Sequence, residues 1–298
     1  MQIDIATDTR TNTLGSLWMV GAMAAFALED SLIKLAAQTL EVGQILVLFG
    51  LGGALIFAGI ARMQRDRLCT ADAISPAMRL RVGFEITGRL FFALAITLTP
   101  LSSATVILQA TPLVVVAGAA MVFGEKVGPR RWIAIGIGLL GVLVIVQPGS
   151  DSFSLLSLLA VIAMFGFAGR DLASRAAPRA LSASVLGFYG FLSVVMAGVF
   201  YTLWAGQTFE PLSGGAALYL MGATFAGVLA YTSLMKAMRM GQVSAVTPFR
   251  YTRLLFGIGF GVMLFGEQLS WSVLAGCALI VVSGLFTLWR GQKASAPV

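Results

Sequence analysis

Hydrophobic positions run in long blocks along this chain, and polar positions gather in short clusters between them. Ten stretches of roughly 17–25 apolar residues result, each long enough to cross the hydrocarbon core of a bilayer as a helix. They fall at about 14–37, 42–61, 80–98, 100–123, 130–148, 153–176, 182–205, 215–238, 243–266 and 270–289. Helices fill the chain and leave no room for a soluble domain. The expected fold class is an all-α integral membrane protein of ten transmembrane helices.

The pattern also repeats. Phe123-Gly124-Glu125-Lys126 closes the fourth apolar run, and Phe265-Gly266-Glu267-Gln268 closes the ninth about 142 residues later. Phe26, Asp30 and Lys34 in the first run match Phe167, Asp171 and Arg175 in the sixth at nearly the same offset. Five spans per half is an odd number, so the second copy is expected upside down relative to the first. The predicted units are residues 1–149 and 150–298, inverted repeats about a pseudo-two-fold axis in the membrane plane. Secondary carriers that work by alternating access are built this way, with the site at the midplane where the halves meet.

Composition agrees, at 58% hydrophobic, 11% charged and a mean hydropathy of +0.91, far outside the soluble range. A net charge of +7 and a pI near 9.9 would suit a nucleic-acid binder, but the placement of the charge argues otherwise. With the N-terminus cytoplasmic, fifteen Lys and Arg lie on the cytoplasmic side and Lys34 alone on the other. That asymmetry is the positive-inside rule, so the basic pI reflects topology and no nucleic-acid partner is expected. The prediction is a multi-pass protein of the inner (cytoplasmic) membrane with both termini cytoplasmic. The tail, with Asp4 and Asp8 against Arg10, orients the first span weakly, and the loop between the second and third spans carries the heaviest vote. Residues 1–13 lack the basic region and cleavage site of a secretory signal, so the first span is expected to stay.

Chemistry is sparse. Cys69 and Cys277 lie far apart and suggest neither a disulfide nor a metal site. The chain has no histidine, which excludes HExxH zinc sites and Ser–His pairs. Glu29 and Asp30 are neighbours that point to different helix faces, unlike an aspartyl dyad. No catalytic residue, metal or cofactor is expected. A channel is a weaker alternative, since inverted repeats favour a carrier.

Ten spans in two sets of five, the run Thr99-Pro100-Leu101-Ser102-Ser103-Ala104 entering the fourth span, and Phe-Gly-Glu at the ends of the fourth and ninth resemble the drug/metabolite transporter superfamily, EamA type. The resemblance covers essentially the whole chain, and its motifs mark a family rather than a substrate. It implies an exporter of small metabolites across the lipid bilayer, with a monomer as its simplest form. Amino acids come first, by similarity to bacterial exporters of aromatic amino acids, and drugs or other metabolites are the alternative. Export as the direction rests on the resemblance alone.

Charges inside spans cost about 2.5–3.5 kcal/mol each on insertion scales and are candidate functional groups. Asp30 with Lys34, and Asp171 with Arg175, are i,i+4 acid–base pairs near span ends and read as structural ion pairs. Glu29 and Arg170 sit beside those pairs, about 100° round the helix. Glu85 and Arg89 form a third i,i+4 pair, at ~1.5 Å per residue roughly 8 and 15 Å into the third span. Arg250 and Arg253 lie at comparable depth in the ninth span with no acid on their own helix. Glu85, Arg89, Arg250 and Arg253 make one acid against three bases. A substrate carboxylate matching the arginine fork would supply part of the missing charge, and an internal network completed by Glu29 is the structural alternative. Gln109, Thr111 and Tyr251 are the polar and aromatic candidates beside them. For proton coupling the available groups are carboxylates, Glu85 and Glu29.

Three further features shape the bundle. All five tryptophans fall near predicted helix ends, as in an interfacial belt. Pro112 and Pro248 must each remove a backbone hydrogen bond inside a span, at different distances from the two Phe-Gly-Glu turns. Gly257, Gly259 and Gly261, and Gly136, Gly138 and Gly141, read as faces for close helix packing.

Overall fold

The computed structural model describes residues 2–124, 127–147, 154–176, 178, 181–240 and 246–295, with the side chains of 2–10, 175, 239, 288 and 290–295 excepted. Its described helices are α1 (Gln2–Ala36), α2 (Val42–Gln64), α3 (Pro76–Leu98), α4 (Leu101–Leu108), α5 (Thr111–Phe123), α6 (Pro129–Val146), α7 (Ser157–Ala176), α8 (Ala183–Ala205), α9 (Gly214–Met240), α10 (Thr252–Phe265) and α11 (Trp271–Ser295). All ten predicted spans are helical. Seven stretches are long and apolar enough to cross a membrane by themselves, counting α4 and α5 as one. The helix α3 misses that standard because it carries Arg81, Glu85 and Arg89, and α10 because it has 14 residues, while the described side chains of α11 give an apolar stretch over Trp271–Thr287.

Spans four and nine are broken. Pro112, the second residue of α5, has no N–H to give to the carbonyl of Leu108 four residues earlier. The Thr111 hydroxyl donates to that carbonyl instead, at 2.5 Å, so the chain can interrupt between α4 and α5 without an orphaned acceptor. In the ninth span a 3₁₀ turn over Thr247–Tyr251, with Pro248 in it, leads into α10. The prolines lie at different distances from the Phe-Gly-Glu turns, yet the breaks do not. The helices that follow them, α5 with 13 residues and α10 with 14, both end on the phenylalanine of the motif.

The glycine of that motif is needed for its backbone. Gly124 and Gly266 take φ of 66° and 62°, the left-handed conformation that closes a helix. After Gly266 the chain turns back through Glu267 N–H to the Gly261 carbonyl. Glu267 then reaches the start of α4, where its carboxylate accepts from Leu101 N–H (2.6 Å), Ser102 N–H (2.9 Å) and the Ser102 hydroxyl. An acid at a helix N-terminus satisfies free N–H groups and meets the positive end of the dipole. The two motifs, separate in sequence, are thus one contact. Lys34 completes it, 3.7 Å from Glu267 and donating to the carbonyls of Ile96 (2.8 Å) and Thr99 (2.7 Å). Glu125, at the corresponding position of the first half, lies outside the described residues.

The main packing pairs are α1 with α9, α2 with α8, α3 with α7, and α6 with α11. Two of these crossings are backbone-close. A Cβ on Gly166 of α7 would fall 2.6 Å from the Gly88 nitrogen of α3, and one on Gly141 of α6 would fall 2.8 Å from the Gly276 carbonyl of α11. Gly257 and Gly261 pack on Thr105 and Ser102 of α4, as a close-packing face should, whereas Gly136 and Gly259 face open space.

Candidate functional site

Buried charge collects where α1, α3, α7 and the break before α10 converge. Glu29 and Asp30, 0% and 1% exposed, point from α1 toward different helices because neighbours on a helix diverge by about 100°. Glu29 Oε1 pairs with Arg89 Nη1 of α3 at 2.8 Å, and Asp30 Oδ2 pairs with Arg253 Nη2 of α10 at 2.6 Å. Arg89 Nε also reaches Glu85 Oε1 at 3.4 Å. That oxygen takes Arg170 Nη1 of α7 at 3.3 Å, and Glu85 Oε2 takes Arg81 Nη2 at 3.7 Å. Arg170 forks onto Asp171 Oδ1 at 2.8 and 2.9 Å, and Asp171 Oδ2 lies 3.9 Å from Arg250 Nη2. Seven of these groups form one continuous chain of ion pairs, with Asp30 and Arg253 a separate pair beside it; together the four carboxylates and five guanidinium groups leave an excess charge of +1 among the described residues.

Aromatic rings back the cations. Phe26 and Phe92 lie under Arg253, with centroids 5.1 and 5.5 Å from its guanidinium carbon, and Phe167 lies 4.8 Å from that of Arg170. Phe26 and Phe167 are the two phenylalanines of the sequence repeat. A cation over a desolvated ring gains up to about 2 kcal/mol, which helps hold these arginines in a low-dielectric centre.

Water reaches the network from one side. Side-chain exposure rises from 2% at Asp30 to 14% at Arg253, 25% at Asp171 and 31% at Arg250. Toward the Lys34–Glu267 end the bundle is packed shut by the buried side chains of Ile33, Leu46, Phe92, Ile96 and Leu101. A small void of about 10 Å³, space for about one water, lies there beside Asp30 and Arg89.

Several sequence expectations are placed differently. Asp30 pairs with Arg253 and Lys34 with Glu267, not with each other, because the bundle brings partners from other helices closer than the next turn. Asp171 pairs with Arg170 and Arg250, and the side chain of Arg175, its expected partner, lies outside the described residues. Glu85, Arg89 and Arg250 do belong to one network, with Arg253 in the pair beside it, but the balance of one acid to three bases does not hold once the α1 and α7 doublets and Arg81 join it. Thr111 and Gln109 serve the helix breaks: Gln109 Nε2 donates to the Arg250 carbonyl at 2.9 Å, stitching one break to the other. Tyr251 is 6% exposed, its hydroxyl turned to the backbone of Gly284 in α11. Arg81, at the start of the third apolar run and beside the basic loop before it, is nonetheless 4% exposed and donates to Ser174 of α7 at 3.0 Å. Its spacing of four from Glu85, on the face that also holds Arg89, was the signal available.

Known proteins share this build. A solved crystal structure 17% identical to the chain superposes with a TM-score of 0.62 over 92% of this chain and 98% of its own, which shows a common fold. A riboflavin transporter of Vibrio cholerae is 28% identical over 94% of both chains. An S-adenosylmethionine uptake transporter of Rickettsia bellii is 23% identical over 96% of this chain and 97% of its own, and a pseudopaline exporter of Pseudomonas aeruginosa 25% identical over 90% and 94%. These relatives are named as transporters of small molecules and not as enzymes. The sequence model described as the EamA-like transporter family matches twice, at residues 13–147 and 155–289, one match over each half. A multi-pass helical bundle matched in both halves and related over its length to small-metabolite transporters, the chain belongs to the EamA-like transporter family of the drug/metabolite superfamily.

Proposed function

We propose that the chain is a secondary carrier moving a carboxylate-bearing small metabolite, an amino acid first among them, by alternating access around the buried network. Residues 1–149 and 150–298 act as inverted repeats that rock against each other. Helix pairing supports this, because it maps onto itself when the halves are exchanged: α1 with α9 becomes α7 with α3, while α2 with α8 and α6 with α11 are unchanged. The two breaks support it as well, since they precede the same motif at nearly equal distance and touch through Gln109 and Arg250. With the positive-inside orientation in the inner membrane, the Lys34–Glu267 end faces outward and Arg250 opens toward the cytoplasm. The described state is then inward-open.

The observation that carries the substrate class is the arginine excess at the wet end of the network. Arg250 is its most exposed arginine and touches Asp171 at a long 3.9 Å, so its planar fork is available to a carboxylate. Arg89 lies deeper on the same path. A second reading follows from the rings of Phe26, Phe92 and Phe167 and from the names of the relatives: a planar metabolite such as riboflavin, stacked on the guanidinium groups.

Thermal unfolding of the purified protein with phenylalanine, leucine, riboflavin or S-adenosylmethionine tests both. A compound at about 100 times its Kd stabilises the folded state by about 2.7 kcal/mol. An upward shift with an amino acid, lost in Arg250→Ala, is the expected result. A shift with riboflavin alone favours the second reading, and a shift that survives Arg250→Ala places the site elsewhere.

A further inference from the structure

Glu29 and Glu85 are both buried carboxylates of the network, yet their oxygens are used unequally. Both oxygens of Glu85 face guanidinium groups, Oε1 those of Arg89 and Arg170 and Oε2 that of Arg81, which leaves neither open. Glu29 is 0% exposed and has one ion pair, from Oε1 to Arg89. Its Oε2 is buried without a hydrogen-bond partner, against the α9 backbone at Gly227, where an added Cβ would sit 3.0 Å from Oε2 and 3.1 Å from the Phe49 ring. A buried acceptor with no donor is costly, and a carboxylate oxygen against glycine and an aromatic ring more so. The charged groups around Glu29 are Arg89 from α3, Arg253 from α10 (itself held by Asp30), and Asp30 on its own helix. From α2 and α9 it meets Phe49 and Gly227.

We infer that Glu29, not Glu85, is the proton-carrying group of this transporter, and that it couples the proton to a carboxylate-bearing substrate in the same direction. The inference rests on the carrier reading above. A proton taken from one compartment binds Glu29 Oε2, and the neutral carboxyl no longer competes for Arg89. The substrate carboxylate takes the vacated side of that guanidinium. On the other face of the membrane the substrate leaves, Glu29 gives up its proton to that compartment and recovers Arg89. Counting the substrate's carboxylate alone, the charge at the described residues is +1 when empty and +1 when proton and carboxylate are both aboard, so the guanidinium groups meet the same balance in either condition. A cationic substrate would compete with the proton and run against it. For a carboxylate the two travel together, so an outside-acid gradient drives uptake, opposite to the export that the resemblance implied.

Two measurements test this. In proteoliposomes, uptake of radiolabelled phenylalanine, riboflavin and S-adenosylmethionine is followed with and without a one-unit outside-acid gradient. One proton per substrate supports up to about tenfold accumulation, both quantities being about 1.4 kcal/mol. Wild type should accumulate the transported probe toward that limit. Glu29→Gln should only equilibrate it, while still exchanging it against unlabelled compound preloaded inside, which shows a folded carrier. Gradient-driven accumulation by Glu29→Gln, or inhibition of wild-type uptake by outside acid, overturns the proposal. Infrared difference spectra of the substrate-free protein across a pH titration provide the second readout, independent of the carrier reading. A protonated-carboxyl band present in wild type and in Glu85→Gln but missing in Glu29→Gln is expected. A band that persists in Glu29→Gln, or no such band in wild type, overturns the assignment whether or not any probe is carried.

Discussion

Arg250 and Arg253 are three residues apart and face different fates. Arg253 is clamped to Asp30, which is 2% exposed, and is boxed by Phe26 and Phe92. Removing one partner of such a pair leaves a bare buried charge and typically costs about 3–5 kcal/mol, whereas an apolar replacement of both is often neutral. Arg253→Leu should therefore lower the thermal unfolding midpoint in detergent sharply, and Arg253→Leu with Asp30→Leu should recover most of it. Arg250 is the opposite case. Arg250→Ala should leave that midpoint nearly unchanged, while transport falls about tenfold or more, equivalent to at least ~1.4 kcal/mol of lost recognition. Sequence placed both arginines within the ninth apolar run, because hydropathy reports which charges interrupt such a run. It could not distinguish them, because their partners Asp30 and Asp171 lie on other helices, 223 and 79 residues away, and pairing across a bundle leaves no local spacing. The charged doublets Glu29-Asp30 and Arg170-Asp171, separated by nearly the same spacing as the two Phe-Gly-Glu motifs, were the legible hint.

Among the elements, the broken spans four and nine carry the architecture. Hydropathy predicted each as a single helix, since a break satisfied internally by the Thr111 hydroxyl leaves the apolar run uninterrupted. The Phe-Gly-Glu turn was legible as a motif, but not its role as the cap of α4, because the N–H groups of Leu101 and Ser102 are about 165 residues from Glu267. Loss of a cap costs about 0.5–2 kcal/mol. Glu267→Ala should lower thermal stability by that order and also raise maleimide labelling of a cysteine placed at Leu101, which is now 0% exposed. Unchanged labelling would argue against Glu267 holding that end shut. The α3–α7 crossing is sensitive in another way. Gly166→Val inserts a side chain where the Gly88 backbone lies within 3 Å, and overpacking of this kind typically costs about 1–3 kcal/mol, read as a lower unfolding midpoint.

At the scale of the whole molecule, the apolar blocks located the helices, and the number of charges on each side gives the expected orientation. Net charge and pI alone would have suggested a nucleic-acid binder. Orientation has a direct probe in the native chain, since Cys69 is exposed in the loop between α2 and α3. A membrane-impermeant maleimide should label it only after cells are permeabilised; labelling of intact cells would invert the topology. The central claim, an exchange carrier with its carboxylate fork at Arg250, is tested most directly by counterflow in proteoliposomes. Vesicles preloaded with unlabelled amino acid are diluted into labelled amino acid, with wild type and Arg250→Ala reconstituted side by side. The account predicts a transient overshoot of label in wild type that saturates with concentration and is reduced about tenfold or more by Arg250→Ala. Non-saturable entry indifferent to the preload would contradict the carrier, and an equal overshoot in both proteins would contradict the site.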